Sequence, residues 1–252
     1  MPAILFVLTS AATTLTGAPA VRLFRVLPYP LSLPVDSVPR DGIRHLSGWY
    51  LPEAAHPYYV LAPHATIDFA SPAGPNPPIS EQSVKLFESD AECIKFLADE
   101  TVKSKLASAK KLSEVKSEDY DAVFYVGGHG PVIDLPIDPI NIKLASEFYQ
   151  AGKITAAVCH GPAAITGAND AEGKSIFAGK AATGFSNTEE EAVDMVKHMP
   201  FLLEDKIKSL GGKYEKADDW APHVVVDGNL YTGQNPASAL PIGQAVLKGL
   251  KL

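Results

Sequence analysis

The fold is decided by one stretch of sequence, Ile154-Thr155-Ala156-Ala157-Val158-Cys159-His160-Gly161-Pro162-Ala163-Ala164. Its first five residues are apolar or β-branched, which predicts a buried strand. Gly161-Pro162 predicts the first turn of a helix, because proline lacks the N–H group that has no helical partner there. Cys159 would therefore lie on a tight turn from strand to helix, where the helix dipole is expected to favour the thiolate. We interpret Cys159 as a nucleophile; a buried cysteine in a seam of small residues is the alternative.

Segments of strand length and helix length alternate along the rest of the chain. Residues 3–8, 66–70 and 122–126 are rich in β-branched or aromatic side chains and predict further strands. Residues 84–106 and 142–150 carry apolar residues at helical spacing, and residues 201–210 and 237–250 predict two more helices. Gly211-Gly212 predicts the end of the helix over 201–210. Residues 224–226 and 230–232 predict a strand pair around the turn Asp227-Gly228-Asn229.

The repeated order of strand and then helix predicts the fold class. It is typical of an α/β fold in which a mainly parallel sheet is sandwiched between helices. In such sheets the functional site lies at the C-terminal ends of the strands. Cys159 follows one predicted strand directly, so we expect the site at that edge.

Composition and charge limit the class of protein. The 252 residues, of which 46% are hydrophobic, predict one α/β domain over residues 1–252. The net charge of −7 argues against nucleic acid as a main partner, since phosphate binding requires a basic face. No stretch approaches the roughly 20 apolar residues that span a bilayer, and the first residues lack the basic region of a signal peptide. We therefore expect a cytoplasmic protein with no membrane partner, and the nucleus stays open as a second location.

Residues 19–47 depart from the alternating pattern. They contain all four arginines of the chain and five of its 21 prolines, a density at which neither a helical nor a strand period survives. One interpretation is a surface insertion or lid within the domain. The other is a retained intron or gene-model error, because removing the segment joins Thr16-Gly17-Ala18 almost directly to Gly48-Trp49-Tyr50. The two interpretations stay open.

A glycine-rich motif, Val126-Gly127-Gly128-His129-Gly130, follows another predicted strand. Glycines at a strand end allow backbone N–H groups to point at a bound oxygen atom, which is the geometry of an oxyanion hole. A simple glycine turn is the alternative. Because the turn that carries Cys159 follows a neighbouring strand, we favour the oxyanion hole.

The other histidines, the second cysteine and one tryptophan give weaker signals. The remaining histidines show no metal-ligand spacing on one element, so we predict no metal site. They are His45, His56, His64, His198 and His223. Cys93 lies in a helical pattern and is expected to pack or to be partly exposed, and two cysteines are too few for a disulfide framework. Trp220 is expected either to border a pocket or to pack in the core.

Three motifs together resemble the ThiJ/PfpI superfamily, whose fold is flavodoxin-like and is that of the class I glutamine amidotransferases. They are Ala157-Val158-Cys159-His160-Gly161-Pro162, Gly127-Gly128-His129-Gly130 and Thr232-Gly233-Gln234-Asn235-Pro236-Ala237-Ser238-Ala239. Within the superfamily the chain is similar to the fungal heat-shock-chaperone branch, whose members act as glutathione-independent glyoxalases of the glyoxalase III type. The resemblance covers nearly the whole chain apart from residues 19–47.

The resemblance implies roles for the two motifs that follow strands. Cys159 would be the nucleophile, and His160 would be a general acid or base. The backbone N–H groups of Gly127, Gly128 and His160 would bind the oxyanion.

The resemblance also implies two acidic residues. Glu53 matches the carboxyl group that faces the cysteine, and its pKa is expected to be raised because a charge beside a thiolate is unfavourable. A solvated residue at a helix start is the alternative for Glu53. Glu190 matches the acid that orients the histidine, with Glu189 and Glu191 left open by the spacing. A simple first-turn helix carboxylate is the alternative for Glu190.

The activity implied by the resemblance is conversion of methylglyoxal to lactate, and of glyoxal to glycolate, through a hemithioacetal on Cys159. This lyase reaction would use a small 2-oxoaldehyde and no cofactor or metal ion. A first alternative is deglycase, amidase or peptidase chemistry at the same cysteine. A second is a holding chaperone or oxidative-stress protein, whose partners would be unfolded client proteins. A homodimer is also implied.

Overall fold

The computed structural model describes residues 1–11 and 48–251. The whole of the proline- and arginine-rich segment at 19–47 therefore lies outside the described residues, and both interpretations of it stay predictions. Within the described ranges, no helix is long and apolar enough to cross a membrane.

The regular elements follow one another along the chain mostly as strand and then helix. The strands are β1 (Ala3–Val7), β2 (Thr66–Ser71), β3 (Lys110–Lys111), β4 (Ala122–Tyr125), β5 (Ile154–Val158), β6 (Ala181–Ala182), β7 (Lys213–Tyr214), β8 (Val224–Asp227) and β9 (Leu230–Gly233). The α-helices are α1 (Leu51–Leu61), α2 (Glu81–Leu86), α3 (Ala91–Ala98), α4 (Glu100–Ala107), α5 (Gly130–Ile133), α6 (Pro139–Gln150), α7 (Asn187–Ala192), α8 (Leu203–Ser209) and α9 (Ala239–Gly249). Short 3-10 helices span Leu112–Glu114, Ser117–Asp119, Leu135–Ile137, Gly161–Ile165, Val196–His198 and Pro236–Ser238.

Seven strands form one sheet in the order β3-β2-β1-β4-β5-β9-β8. All neighbouring pairs are parallel except β8 and β9, which are antiparallel. The predicted α/β fold with a mainly parallel sheet is therefore confirmed. The predicted strand pair is confirmed as well, and Asp227 pairs with Leu230 across its turn.

Helices cover both faces of the sheet, because alternate residues of the central strands are apolar on each side. In β1, Ile4 and Phe6 pack in a cluster with residues of α1, α3 and α9. Leu5 and Val7 of the same strand pack in a second cluster with residues of α6 and α8. All four side chains are fully buried. The sheet thus forms the middle layer of three.

The helical pattern over 84–106 is not one helix. The chain instead forms α2, α3 and α4, since two aspartates interrupt it. Asp90 accepts a hydrogen bond from the Cys93 N–H at 2.8 Å, and Asp99 accepts one from the Thr101 N–H at 2.9 Å. An N-cap side chain of this type favours the start of a new helix over continuation of the previous one. Apolar spacing persists across both caps, so periodicity alone predicted a single segment.

Candidate active site

Cys159 occupies the turn that follows β5, as the sequence predicted. Its backbone has φ +59°, a left-handed conformation that is costly for a residue other than glycine. Two backbone hydrogen bonds hold the turn: Cys159 N–H donates to Gly233 O at 2.9 Å, and Phe185 N–H donates to Cys159 O at 2.9 Å. The side chain is 4% exposed. The protein therefore holds a strained, almost enclosed thiol at the C-terminal edge of the sheet.

Glycine is required at two positions around this turn. A Cβ atom on Gly127 would lie 2.5 Å from Val158 O and 3.0 Å from Cys159 Cβ, and it would also collide with the Glu53 carboxylate. A Cβ atom on Gly161 would collide with the Tyr125 carbonyl oxygen. The absence of these two side chains allows the ends of β4 and β5 to approach each other and Glu53.

Glu53 lies in the first turn of α1 and is completely buried. Within the described residues neither of its carboxylate oxygens has a hydrogen-bond partner of acceptable geometry. Burial raises the pKa of Glu53 well above its ordinary value, and the nearby Cys159 side chain and Gly127 N–H offset only part of this rise. A solvated residue at a helix start is therefore excluded, and burial favours the protonated form of Glu53 beside the sulfur.

The electrostatics of Cys159 differ from the expected helix-dipole effect. Burial, followed by the charge of Glu53, raises the pKa of the Cys159 thiol well above its ordinary value, and the His160 N–H lowers it only in part. The segment after the cysteine is a five-residue 3-10 helix, Gly161–Ile165, too short for a strong dipole. The charge of Glu53 acts on the thiol only when that carboxyl is ionised, so the ionisation of each group makes ionisation of the other less favourable.

His160 links the cysteine to Glu190. Its Nδ1 atom lies 3.5 Å from Cys159 Sγ, and its Nε2 atom lies 2.6 Å from Glu190 Oε2. Glu190 is 3% exposed, and although burial acts to raise its pKa, the charge of His160 and hydrogen bonds from His129 and His160 hold that pKa well below the ordinary value. Of the three glutamates that the spacing left open, Glu190 is the one that contacts His160. Glu191 is exposed.

His129 also contacts this site, which its sequence motif did not predict. Its Nε2 atom lies 2.9 Å from Glu190 Oε1, and its ring centroid lies 4.3 Å from that of His160. Burial and the neighbouring His160 lower the pKa of His129. Glu190 thus contacts one histidine with each carboxylate oxygen. The signal was present in the Gly-Gly-His-Gly motif, but only its glycines had been given a role.

Glu189 belongs to the support of the site. Its Oε1 atom accepts hydrogen bonds from Trp220 N–H at 2.9 Å, Asn235 Nδ2 at 2.9 Å and Gln234 Nε2 at 3.2 Å. The Trp220 ring is T-shaped against Phe185, whose own ring centroid lies 4.4 Å from that of His160. Trp220 is 47% exposed, so it borders the site and does not pack in the core.

The three backbone N–H groups predicted to bind an oxyanion have different neighbours. The His160 N–H acts on the Cys159 sulfur, and the Gly127 N–H acts on Glu53. Gly128 has φ +100°, and its N–H has no hydrogen-bond acceptor among residues 1–11 and 48–251. Gly128 therefore offers the free donor of the three, and its role in binding an oxyanion stays a prediction.

Two groups of side chains in the described residues could hold a metal ion, and both join distant parts of the chain. The donor atoms of His129, His160 and Glu190 lie within 4.8 Å of one another, as do those of the second group, His56, Asp90 and Cys93. In the first group the short His160–Glu190 contact fits a direct hydrogen bond. Cys93 is fully buried, and His64 is exposed. His45 lies outside the described residues, and His198 and His223 are half-buried.

Comparison with known proteins gives relatives over most of the chain. A glutathione-independent glyoxalase of Saccharomyces cerevisiae is 34% identical over 207 residues, which cover 79% of this chain and 86% of that protein. Glyoxalase 3 of Candida albicans is 34% identical over 148 residues, which cover 56% of this chain and 63% of that protein.

Solved structures show the same architecture. The Rapid Encystment Protein of Francisella tularensis has a TM-score of 0.84 and 30% identity, with 99% of each chain covered. The crystal structure of glyoxalase III from Candida albicans has a TM-score of 0.78 and 24% identity, with 98% of this chain and 96% of that chain covered, and so shares the fold. The family model for DJ-1/PfpI matches residues 53–249. These findings confirm the resemblance drawn from the three motifs, and the chain belongs to the DJ-1/PfpI family.

Proposed function

We propose that this protein is a glutathione-independent glyoxalase that converts methylglyoxal to lactate and glyoxal to glycolate. The observation that carries the proposal is the meeting of a buried acid, Glu53, with a thiol and an imidazole at Cys159 and His160. The names of the relatives in Saccharomyces cerevisiae and Candida albicans support the same activity. The small exposed fraction of Cys159 favours a substrate of a few atoms, such as a 2-oxoaldehyde.

The first step is addition of the Cys159 sulfur to the aldehyde carbon. The thiol proton passes to Nδ1 of His160, which lies 3.5 Å away, and the new C–S bond leaves charge on the aldehyde oxygen. The Gly128 N–H is the free backbone donor for that oxygen. The His160 imidazolium then returns the proton to that oxygen, which gives the hemithioacetal and leaves His160 neutral.

The second step moves hydrogen within the substrate. A base removes the proton from the former aldehyde carbon to give an enediol, and a proton returns to the adjacent carbon, which yields a thioester of the hydroxy acid. Neutral His160 and ionised Glu53 are the two candidates for this base, since both side chains lie beside the Cys159 sulfur, and a group whose pKa lies near neutrality serves best. Water then hydrolyses the thioester. The sum adds one water to methylglyoxal, and one carbon is oxidised as its neighbour is reduced, so no external oxidant is needed.

Glu190 would fix the orientation and the tautomer of His160. Its hydrogen bond to Nε2 places a proton there and leaves Nδ1 free to accept the thiol proton. The same bond stabilises the imidazolium ion that forms when Nδ1 is protonated.

The test compares the wild type with Cys159→Ala, supplied with methylglyoxal in a buffer free of glutathione and of amines, and follows lactate directly. We expect lactate formation to be lost in Cys159→Ala and kept in Thr155→Ala, which removes another buried polar group at the far end of β5. Lactate production by Cys159→Ala at the wild-type rate would refute the proposal. A substrate panel of glycated amines, amides and peptides in the same buffer separates the hydrolytic alternatives.

A further inference from the structure

His56, Asp90 and Cys93 form a second cluster, which shares no residue with the candidate active site and lies where α1 packs beside α3. His56 Nε2 lies 3.2 Å from each carboxylate oxygen of Asp90. Glu92 Oε2 lies 4.0 Å from the same nitrogen. The cluster therefore combines imidazole, carboxylate and thiol groups around one point.

The local fold holds these side chains in place. Asp90 is the N-cap of α3, and its Oδ1 atom accepts a hydrogen bond from the Cys93 N–H at 2.8 Å. This cap keeps the carboxylate beside the thiol of Cys93, which is fully buried. His56 reaches the pair from α1, where it is half-buried. The arrangement is built by two elements more than 30 residues apart, so spacing on a single element could not predict it.

Within residues 1–11 and 48–251, no lysine or arginine forms an ion pair with the carboxylates of the cluster. The ion pairs of Asp90 and of Glu92 are made with His56. Two carboxylates and a thiol thus share one imidazole. A divalent cation would supply the missing positive charge.

We propose that His56, Asp90 and Cys93 bind a zinc ion, with Glu92 or a water molecule as the fourth ligand. Nitrogen, oxygen and sulfur donors in a four-coordinate site are the set that zinc prefers in proteins. Zinc–ligand distances of about 2.0–2.3 Å require the donors, now within 4.8 Å of one another, to move together only slightly. The Cys93 thiol releases its proton to solvent as the zinc–sulfur bond forms.

The bound ion would fasten α1 to α3. Glu53 lies three residues before His56 on α1, so the ion would stabilise the helix that presents the buried acid to Cys159. Zinc binding itself does not depend on the proposed glyoxalase activity, and the following measurements do not use that activity.

The test is calorimetric titration of the full-length protein with zinc chloride after removal of metals by a chelator. We expect one zinc ion per chain, and we expect His56→Asn and Cys93→Ser each to weaken binding about tenfold or more, since each removes a direct ligand. Cobalt substitution should give a sulfur-to-metal charge-transfer band that Cys93→Ser abolishes. His64→Asn is the control for loss of another histidine, and Cys159→Ser is the control for loss of the other thiol; both should keep the affinity and the band.

Three outcomes would overturn the proposal. The wild type could form no one-to-one zinc complex, or both ligand variants could bind zinc as tightly as the wild type. In the third outcome, binding is lost in Glu190→Gln and kept in His56→Asn, which would move the ion to the His129–His160–Glu190 group. If Cys93→Ser fails to fold by circular dichroism, His56→Asn decides alone, because its half-buried side chain is not part of the core.

Discussion

Glu53 is an acidic residue whose side chain has no exposure to water. It is a completely buried acid, and neither carboxylate oxygen has a hydrogen-bond partner of acceptable geometry among the described residues. An ionised carboxylate in such a place is unfavourable by several kcal/mol, so the group keeps its proton instead. Retaining an acid here costs stability at neutral pH, which is typical of a residue selected for chemistry.

Glu53→Gln tests that cost through its dependence on pH. The pKa of Glu53 is raised above its ordinary value of 4.5, so the folded protein keeps a proton that the unfolded chain loses. The free energy of unfolding of the wild type should therefore fall as pH rises from 4.5 towards the raised pKa of Glu53, by about 1.4 kcal/mol per pH unit. We expect Glu53→Gln to match the wild type near pH ~4 and to be more stable at pH ~7, measured by urea unfolding.

The control for this comparison is Glu118→Gln, whose side chain is exposed. It should show no such change with pH. A difference between Glu53→Gln and the wild type that stays constant from acid to neutral pH would mean that Glu53 is ionised in the folded protein.

Substitution of His129 tests whether Glu190 positions His160. Because each oxygen of Glu190 contacts one histidine, loss of His129 should let the carboxylate turn and hold His160 less firmly. We expect His129→Asn to lower kcat about tenfold with little change in KM, the size of one hydrogen bond to a charged group. The acid limb of the pH profile should move to higher pH, since His129 helps to lower the pKa of Glu190.

A double-mutant cycle separates this positioning role from a general structural one. In the background of Glu190→Gln, the change His129→Asn should have little further effect on kcat. An equal loss in both backgrounds would show that His129 acts independently of Glu190.

At the scale of single elements, the sequence predicted an element correctly where no competing local signal, such as an N-cap, interrupted the apolar pattern. The strand Ile154–Val158 was predicted to the residue, since a short apolar run ends at a turn with small residues. The prediction of one helical segment over residues 84–106 was wrong. The apolar spacing continues through this range, but the N-caps at Asp90 and Asp99 start new helices. The helix after Cys159 proved to be a 3-10 turn, a difference that composition cannot show.

Residues of the candidate site were easier to predict when they lie close together in the sequence than when only the fold brings them together. Cys159 was predicted from one motif, and the role of its neighbour His160 came from the family resemblance. Glu53 and Glu190 required the family resemblance, since their contacts with that motif span long separations in sequence. His129 and the cluster around His56 were missed, because only the folded chain brings their partners together.

Asp99 allows the helix break before α4 to be tested. Its side chain accepts hydrogen bonds from the Thr101 N–H at 2.9 Å and from the Tyr59 hydroxyl at 3.1 Å. We expect Asp99→Ala to lower the free energy of unfolding by about 1 kcal/mol, as for other lost N-caps, and to leave kcat unchanged. Urea unfolding measures the first effect, and Asp119→Ala, on an exposed 3-10 helix, is the control. Equal stability of Asp99→Ala and the wild type would mean that apolar packing alone sets the boundary.

At the scale of the whole molecule, the order of strands assembles the site. The strands β4, β5 and β9 are successive neighbours in the sheet, and each is followed by residues of the site: Gly127, Cys159 and Asn235. Glu53 comes from α1, which follows β1 in the chain. In the sheet, β1 neighbours β4 on the side opposite β5. Parallel strands place their C-terminal ends at one edge, so four separate parts of the chain converge there.

The chain on either side of residues 19–47 is held by contacts that do not involve that segment. Before it, β1 pairs with β2 and β4, and the Ser10 N–H donates to Asp134 at 2.7 Å. After it, the Trp49 N–H donates to Pro78 O, and the Tyr50 N–H donates to Gly127 O, each at 3.0 Å. These contacts alone already attach β1 and the residues just before Glu53 to the sheet and to the turn at Gly127.

Deletion of residues 19–47 should therefore give a folded protein that still forms lactate from methylglyoxal without glutathione. A shorter connection costs less entropy to close, so the free energy of unfolding should rise by about 1 kcal/mol. The matched control replaces the segment by glycine and serine at equal length, which separates its sequence from its length. A folded deletion variant that forms no lactate, beside a replacement variant that does, would mean that the site requires the length. Loss of lactate formation in both folded variants would mean that the prolines and arginines of this segment act in the reaction, and the idea of foreign sequence would then be untenable.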